Sequence, residues 1–185
     1  NPLEKFEDSL RVSLDKLKEK GELESERICG ESLSGVTSTD VKPQINYWST
    51  LGCSIQAVSK ECTKLSLAFS KPPLPSIQDT QALVNELEVA LCAVFSTYRA
   101  FSKQGPGVLL NNALKTYVIN LTKALLEFIT SIKCGEKDEI LKTVGIVWEC
   151  CETFASLPKD VKELALQEIK SCLGLINDAT TESEE

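Results

Sequence analysis

Apolar residues recur at helical steps along most of this chain, and no stretch sustains the apolar-polar alternation of a half-buried strand. Leu3, Phe6, Leu10, Leu14 and Leu17 predict a first helix within residues 1–20. Pro2 suits its first turn, where a missing N–H costs little, and Gly21 is expected to end it. Residues 21–44 lose the period. Gly30, Gly35, Pro43 and a run of Ser and Thr separate Ile28, Leu33 and Val36, so this segment reads as a mobile connector.

The main helical bundle is expected over residues 45–178. Its opening helix, 45–70, carries Trp48, Leu51, Ile55, Val58, Cys62, Leu65 and Phe69 in alternating steps of three and four, the spacing of a helix packed lengthwise. Lys71-Pro72-Pro73-Leu74-Pro75 cannot continue a helix. Ser76, with Asp79 three residues on, predicts a capped start for the next one. Leu83, Leu87, Leu91, Val94, Tyr98 and Phe101 form its inner stripe, widened by Val84, Val89 and Phe95, and Gln104-Gly105-Pro106-Gly107 ends it.

A further helix over 108–133 presents Leu110, Leu114, Tyr117, Val118, Leu121, Leu125, Phe128, Ile129 and Ile132 before Cys134-Gly135. Another, 137–156, carries Ile140, Leu141, Val144, Val147, Trp148, Cys151 and Phe154. The last, 158–178, is expected to turn Val161, Leu164, Ala165, Ile169, Cys172, Leu173 and Ile176 inward. Residues 179–185 read as an acidic disordered tail. Short links between long helices require antiparallel neighbours. The expected fold is therefore all-α, an antiparallel up-and-down bundle of five to six long helices.

Composition narrows what such a bundle does. With 185 residues the chain fits one domain and is long enough to bury a core. Twenty Lys and Arg stand against 27 Asp and Glu, a net charge of −7, and no dense basic block occurs, so direct nucleic-acid binding is not expected. No apolar run approaches the length of a membrane span. Asn1-Pro2-Leu3-Glu4-Lys5 is not followed by the apolar core of a secretory signal.

The chain has no histidine, which removes Ser-His-Asp and Cys-His catalysis and imidazole metal ligands. Its eight cysteines show no C-x-x-C spacing and mostly sit in amphipathic stretches, where a free thiol behaves as a small hydrophobe. They read as reduced, in a cytosolic or nuclear setting. Cys150-Cys151 is the one adjacent pair, with side chains about 100° apart on a helix. Lys16, Lys18 and Lys20 alternate with Asp15 and Glu19 and read as a solvated helix surface rather than an anion site. Gly105-Pro106-Gly107 lacks the lysine of a phosphate loop. Asn120-Leu121-Thr122 matches a glycosylation acceptor but lies in a helical pattern, and Thr37-Ser38-Thr39-Asp40 and Thr181-Glu182-Ser183-Glu184 are weak matches to acidophilic kinase sites. No catalytic, cofactor-binding or metal-ligating residue is expected.

Several segments together resemble a known family. Trp48-Ser49-Thr50-Leu51 is followed by Val58-Ser59-Lys60-Glu61-Cys62-Thr63, then by Phe69-Ser70-Lys71-Pro72-Pro73-Leu74-Pro75-Ser76 and Asp79-Thr80-Gln81. Tyr98, Lys103 and Gln104 continue the likeness, which returns at Val147-Trp148-Glu149-Cys150-Cys151 and Leu157-Pro158-Lys159-Asp160. In this combination the chain resembles the Grap2 and cyclin-D-interacting protein family over about residues 44–178. The resemblance implies a non-catalytic, all-helical interaction protein of cytoplasm and nucleus. It implies D-type cyclin, the adaptor Grap2 and helix-loop-helix transcription factors as partners. It further implies negative regulation of cell cycle and transcription by sequestration, with this chain as the N-terminal half of a longer protein. Two other readings follow from the residues and the architecture. One is a thiol enzyme or redox sensor at Cys150 or Cys151, with Lys142 and Lys159 as candidate activating cations; the other is a cytoskeletal adaptor bundle similar to vinculin or talin bundles.

Overall fold

The computed structural model describes residues 1–25, 46–103, 105 and 107–183. They form α1 (Pro2–Ser25), α2 (Tyr47–Ser70), α3 (Ile77–Ser102), α4 (Val108–Cys134), α5 (Lys137–Thr153), a 3-10 turn (Phe154–Ser156) and α6 (Val161–Ser183), with no strand among the described residues. Helix ends follow local chemistry. The Asn46 side chain accepts the Ser49 N–H at 3.1 Å and caps α2. Ser76 Oγ accepts the Asp79 N–H at 3.1 Å while the Asp79 carboxylate accepts the Ser76 N–H at 3.3 Å, the reciprocal cap anticipated for α3. Gly135 takes the left-handed conformation, φ 77°, that lets the chain leave α4 without a Cβ clash.

Helix α5 gives way to the 3-10 turn at Phe154, short of the expected 156, and α6 starts at Val161 rather than 158, while two helices run past their expected ends. The first helix continues through Gly21 to Ser25, because an interior glycine costs only about 1 kcal/mol once the helix is nucleated. The rest of the expected connector, 26–44, lies outside the described residues. The last helix continues to Ser183, so 179–183 are helical where a disordered tail was expected. That segment contains no Gly or Pro, and each added residue gains a backbone hydrogen bond. Residues 184–185 lie outside the described residues.

Five helices close a ring. Helix α1 packs between α3 and α4, α3 packs on α2, α2 on α5, and α5 on α4. Consecutive helices alternate in direction, but a ring with an odd number of members must contain one parallel pair. That pair is α1 and α3. Leu3 lines a hollow with Ile77 and Thr80 at the start of α3, and Leu17 lies with Phe95 and Tyr98 toward its end. Helix α4 runs oppositely, so Glu7 near the start of α1 meets Lys133 at the end of α4.

The core fills this ring. Leu10, Leu51, Ile55, Leu65, Leu87, Leu114, Leu121, Leu125, Phe128, Ile129 and Ile140 are among its fully enclosed side chains. Each such side chain contributes about 1.5–3 kcal/mol relative to exposure. Glu7 is the charged group at the α1 seam. Its carboxylate accepts from Lys133 at 2.5 Å and Arg11 at 2.6 Å, and those cations hold it below its ordinary pKa.

The sixth helix does not join the core. None of the α6 side chains described, 161–167 and 169–173, is buried; Val161, Ala165, Ile169, Cys172 and Leu173, expected to face inward, are exposed, Leu164 is half-buried, and the Ile176 side chain lies outside those described. The ring is already closed, so α6 finds no open inward groove and touches the bundle through α4. Three other apolar positions read as core, Val89, Leu141 and Trp148, are also exposed, because their helices present only one arc to the ring.

Candidate interaction surface

Among the described residues no group of three or more His, Cys, Asp or Glu side chains is placed to hold a metal, and no helix is long and apolar enough to cross a membrane. The buried carboxylates are matched by cations: Glu7 by Lys133 and Arg11, and Glu61 by Lys64 at 2.8 Å. These pairs neutralise charge at helix seams rather than converge on a common point.

Of the described thiols, Cys62, Cys150 and Cys151 pack in or against the core, whereas Cys53, Cys92, Cys134 and Cys172 are exposed rather than serving as the small buried hydrophobes expected. Cys62, on α2, is fully buried, and burial together with the neighbouring Cys151 and Glu61 pushes it well above the usual thiol range. Cys150 and Cys151 are half-buried on α5. Burial and Glu149 raise Cys150, and burial, Cys150 and Glu152 push Cys151 up to about 12. A nucleophilic thiol needs the opposite shift, from a cation or a helix N-terminus. Neither of the anticipated cations acts on the pair, and Lys142 is occupied by Glu139 at 3.5 Å. The buried Tyr117 hydroxyl lies near the same two thiols, has no hydrogen-bond partner and is raised by burial. This apolar, acid-flanked corner disfavours thiolate.

An aromatic seam joins this corner to the chain leaving α5. Trp48 meets Phe101 edge-on at 5.4 Å and Phe154 at 6.0 Å, and Phe154 lies 5.6 Å from Tyr117. The approach is close enough that a Cβ at Gly52 would sit 3.2 Å from the Phe154 ring. Trp148 Nε1 donates to Thr63 Oγ1 at 3.0 Å across α5 and α2. The seam fixes the 3-10 turn, and the turn fixes the start of α6. Pro158 is buried, the Asp160 carboxylate accepts the Glu163 N–H at 2.8 Å, and Gln167 Nε2 donates to the Ser156 carbonyl at 3.0 Å.

Helix α6 therefore leaves a fixed base with an apolar stripe that no described residue covers. Val161, Ala165, Ile169, Cys172 and Leu173 share one helical face, and all are exposed; Leu166 flanks them. Ile169 is 56% exposed and Leu173 53%. From Val161 to Leu173 this stripe runs about 18 Å at 1.5 Å per residue. The sequence pattern had revealed the stripe and mistaken its destination. Nothing in a helical period distinguishes a face turned to its own core from one turned outward.

The family model for the N-terminal region of Grap2 and cyclin-D-interacting proteins matches residues 50–185. The chain is 33% identical over 147 residues to the zebrafish (Danio rerio) cyclin-D1-binding protein 1 homolog, covering 76% of this chain and 42% of that protein. It is 30% identical over 188 residues to the Xenopus laevis homolog, covering 100% of this chain and 52% of that protein. Human cyclin-D1-binding protein 1 is 25% identical over 144 residues, covering 75% of this chain and 39% of that protein. The chain thus spans about half the length, or less, of these relatives. The family match runs through the proline link, the capped α3 and the Trp148 seam to the end of α6, and with these relatives it shows that the chain belongs to the Grap2 and cyclin-D-interacting protein family.

Proposed function

We propose that this chain is a non-catalytic interaction domain that binds a D-type cyclin, with Grap2-type adaptors and helix-loop-helix transcription factors as further partners. It acts in cytoplasm and nucleus as a negative regulator of cell cycle and transcription. The single observation behind this reading is the exposed apolar stripe of α6, set on a fixed base beside a closed core. The occupant we assign to the stripe is an amphipathic helix of the protein partner, which would lay its apolar face along Val161, Ile169 and Leu173. The relatives named for cyclin-D1 binding support the choice of partner. A helix held this way cannot engage its usual target, so regulation is by sequestration.

The test is a titration of purified D-type cyclin into the labelled chain, read by fluorescence anisotropy. Saturable binding in the micromolar range, on the order of −8 kcal/mol, is the expected result. No binding up to about 100 μM, some 5 kcal/mol, would overturn the reading for this chain.

A further inference from the structure

Where the end of α3 meets the middle of α1 and the second turn of α4, side chains surround a cleft of about 610 Å³. Four of them are cations, Lys16, Arg99, Lys103 and Lys115, and Glu19 is the sole acid among the described lining residues. The chain as a whole carries a charge of −7, so this corner opposes the sign of the molecule. Among the described residues none of the four cations lies within ion-pair distance of a carboxylate, although Glu7, Glu61 and Glu139 have each drawn a cation elsewhere. The position of Arg99 and Lys103 at the C-terminal end of α3 suits that helix's dipole. That does not account for Lys16, in the middle of α1, or for Lys115 on α4. Between the cations the wall is apolar: Leu17 and Phe95 are half-buried, and Tyr98 packs beneath them.

We infer that this cleft is a docking site for a short anionic peptide segment, one in which carboxylates or phosphoserines flank an apolar side chain. The anions meet Lys16, Arg99, Lys103 and Lys115, and the apolar side chain covers Leu17 and Phe95. The volume lies within the range of clefts that hold small ligands, about 300–1,000 Å³, so it suits a short segment rather than a whole domain. The overall negative field repels a long polyanion, whereas a local cluster of cations still attracts a short one. The cleft draws its lining from α1, α3 and α4 and none from α6, so it stands independently of the α6 reading.

The test uses the whole chain and three labelled peptides of one design: Glu alternating with Leu, the same peptide with phosphoserine for Glu, and a neutral Gln version. Anisotropy should show the two anionic peptides binding and the Gln peptide failing, with the tighter of the two identifying the natural anion. Arg99→Glu combined with Lys103→Glu should weaken binding about tenfold or more, while the charge-matched pair Lys162→Glu and Lys170→Glu, at exposed cations on α6, should change it less than about twofold. Circular dichroism of each variant establishes that the helices persist. Equal losses from both charge reversals would reduce the effect to net charge and overturn the site. So would equal binding of the Gln peptide.

Discussion

Replacing Ile169 and Leu173 together by Asp separates binding from folding. Each side chain retains just over half its surface in the folded chain, 56% and 53%. Complete burial of such a side chain is worth about 1.5–3 kcal/mol, so covering the exposed half yields about 1 kcal/mol each. The double variant forfeits about 2 kcal/mol of contact and also forces two carboxylates out of water at the interface. The affinity for the helical partner should therefore fall by about 30-fold or more. The fold should barely respond, because exposed positions outside a core usually shift stability by no more than about 0.5 kcal/mol each. Anisotropy titration against D-type cyclin and thermal melting by circular dichroism measure the two quantities side by side. An unchanged affinity with an unchanged melt would refute the assignment of the α6 stripe. A melt lowered by 10 °C or more, the order expected for a core lesion, would refute the placement of α6 outside the ring.

Phe128→Ala, at a fully enclosed position on α4, should cost about 3–5 kcal/mol in urea unfolding. Ser76→Ala should cost about 1 kcal/mol through loss of the α3 cap. Glu7, held below its ordinary value of 4.5 by Lys133 and Arg11, adds stability that is fully present above that value and is lost as pH falls through its lower folded value. Glu7→Gln should therefore flatten the acid side of the stability–pH curve. Timed alkylation should label exposed Cys53, Cys92, Cys134 and Cys172 first and Cys62 last; early labelling of Cys151 would contradict its raised pKa.

Much of the fold was legible in the chain because burial on a helix leaves a local mark. The stripes of α2 and α4, the Ser76–Asp79 cap and the Gly135 stop all depend on residues within a turn or two of one another. The ring order and the parallel α1–α3 pair depend on which distant faces meet, and no local period encodes that. The outward stripe of α6 illustrates the limit, since its spacing matches that of a core helix. The basic cleft illustrates another. Lys16 reads as a solvated helix residue until the fold brings Arg99, Lys103 and Lys115 beside it.

The odd-membered ring also has a consequence in time. Glu7 and its partner Lys133 are separated by 126 residues, and the neighbours of α1 are α3 and α4 rather than the helix that follows it. A ribosome adding about 5–20 residues per second needs on the order of 6–25 s to make that stretch. Throughout that interval Leu3, Phe6, Leu10 and Leu14 have left the translating ribosome's active centre with no slot yet built to receive them. The first stave to be made waits longest for its neighbours, and until they arrive it is the part of the nascent chain most exposed to capture by chaperones or by a neighbouring copy.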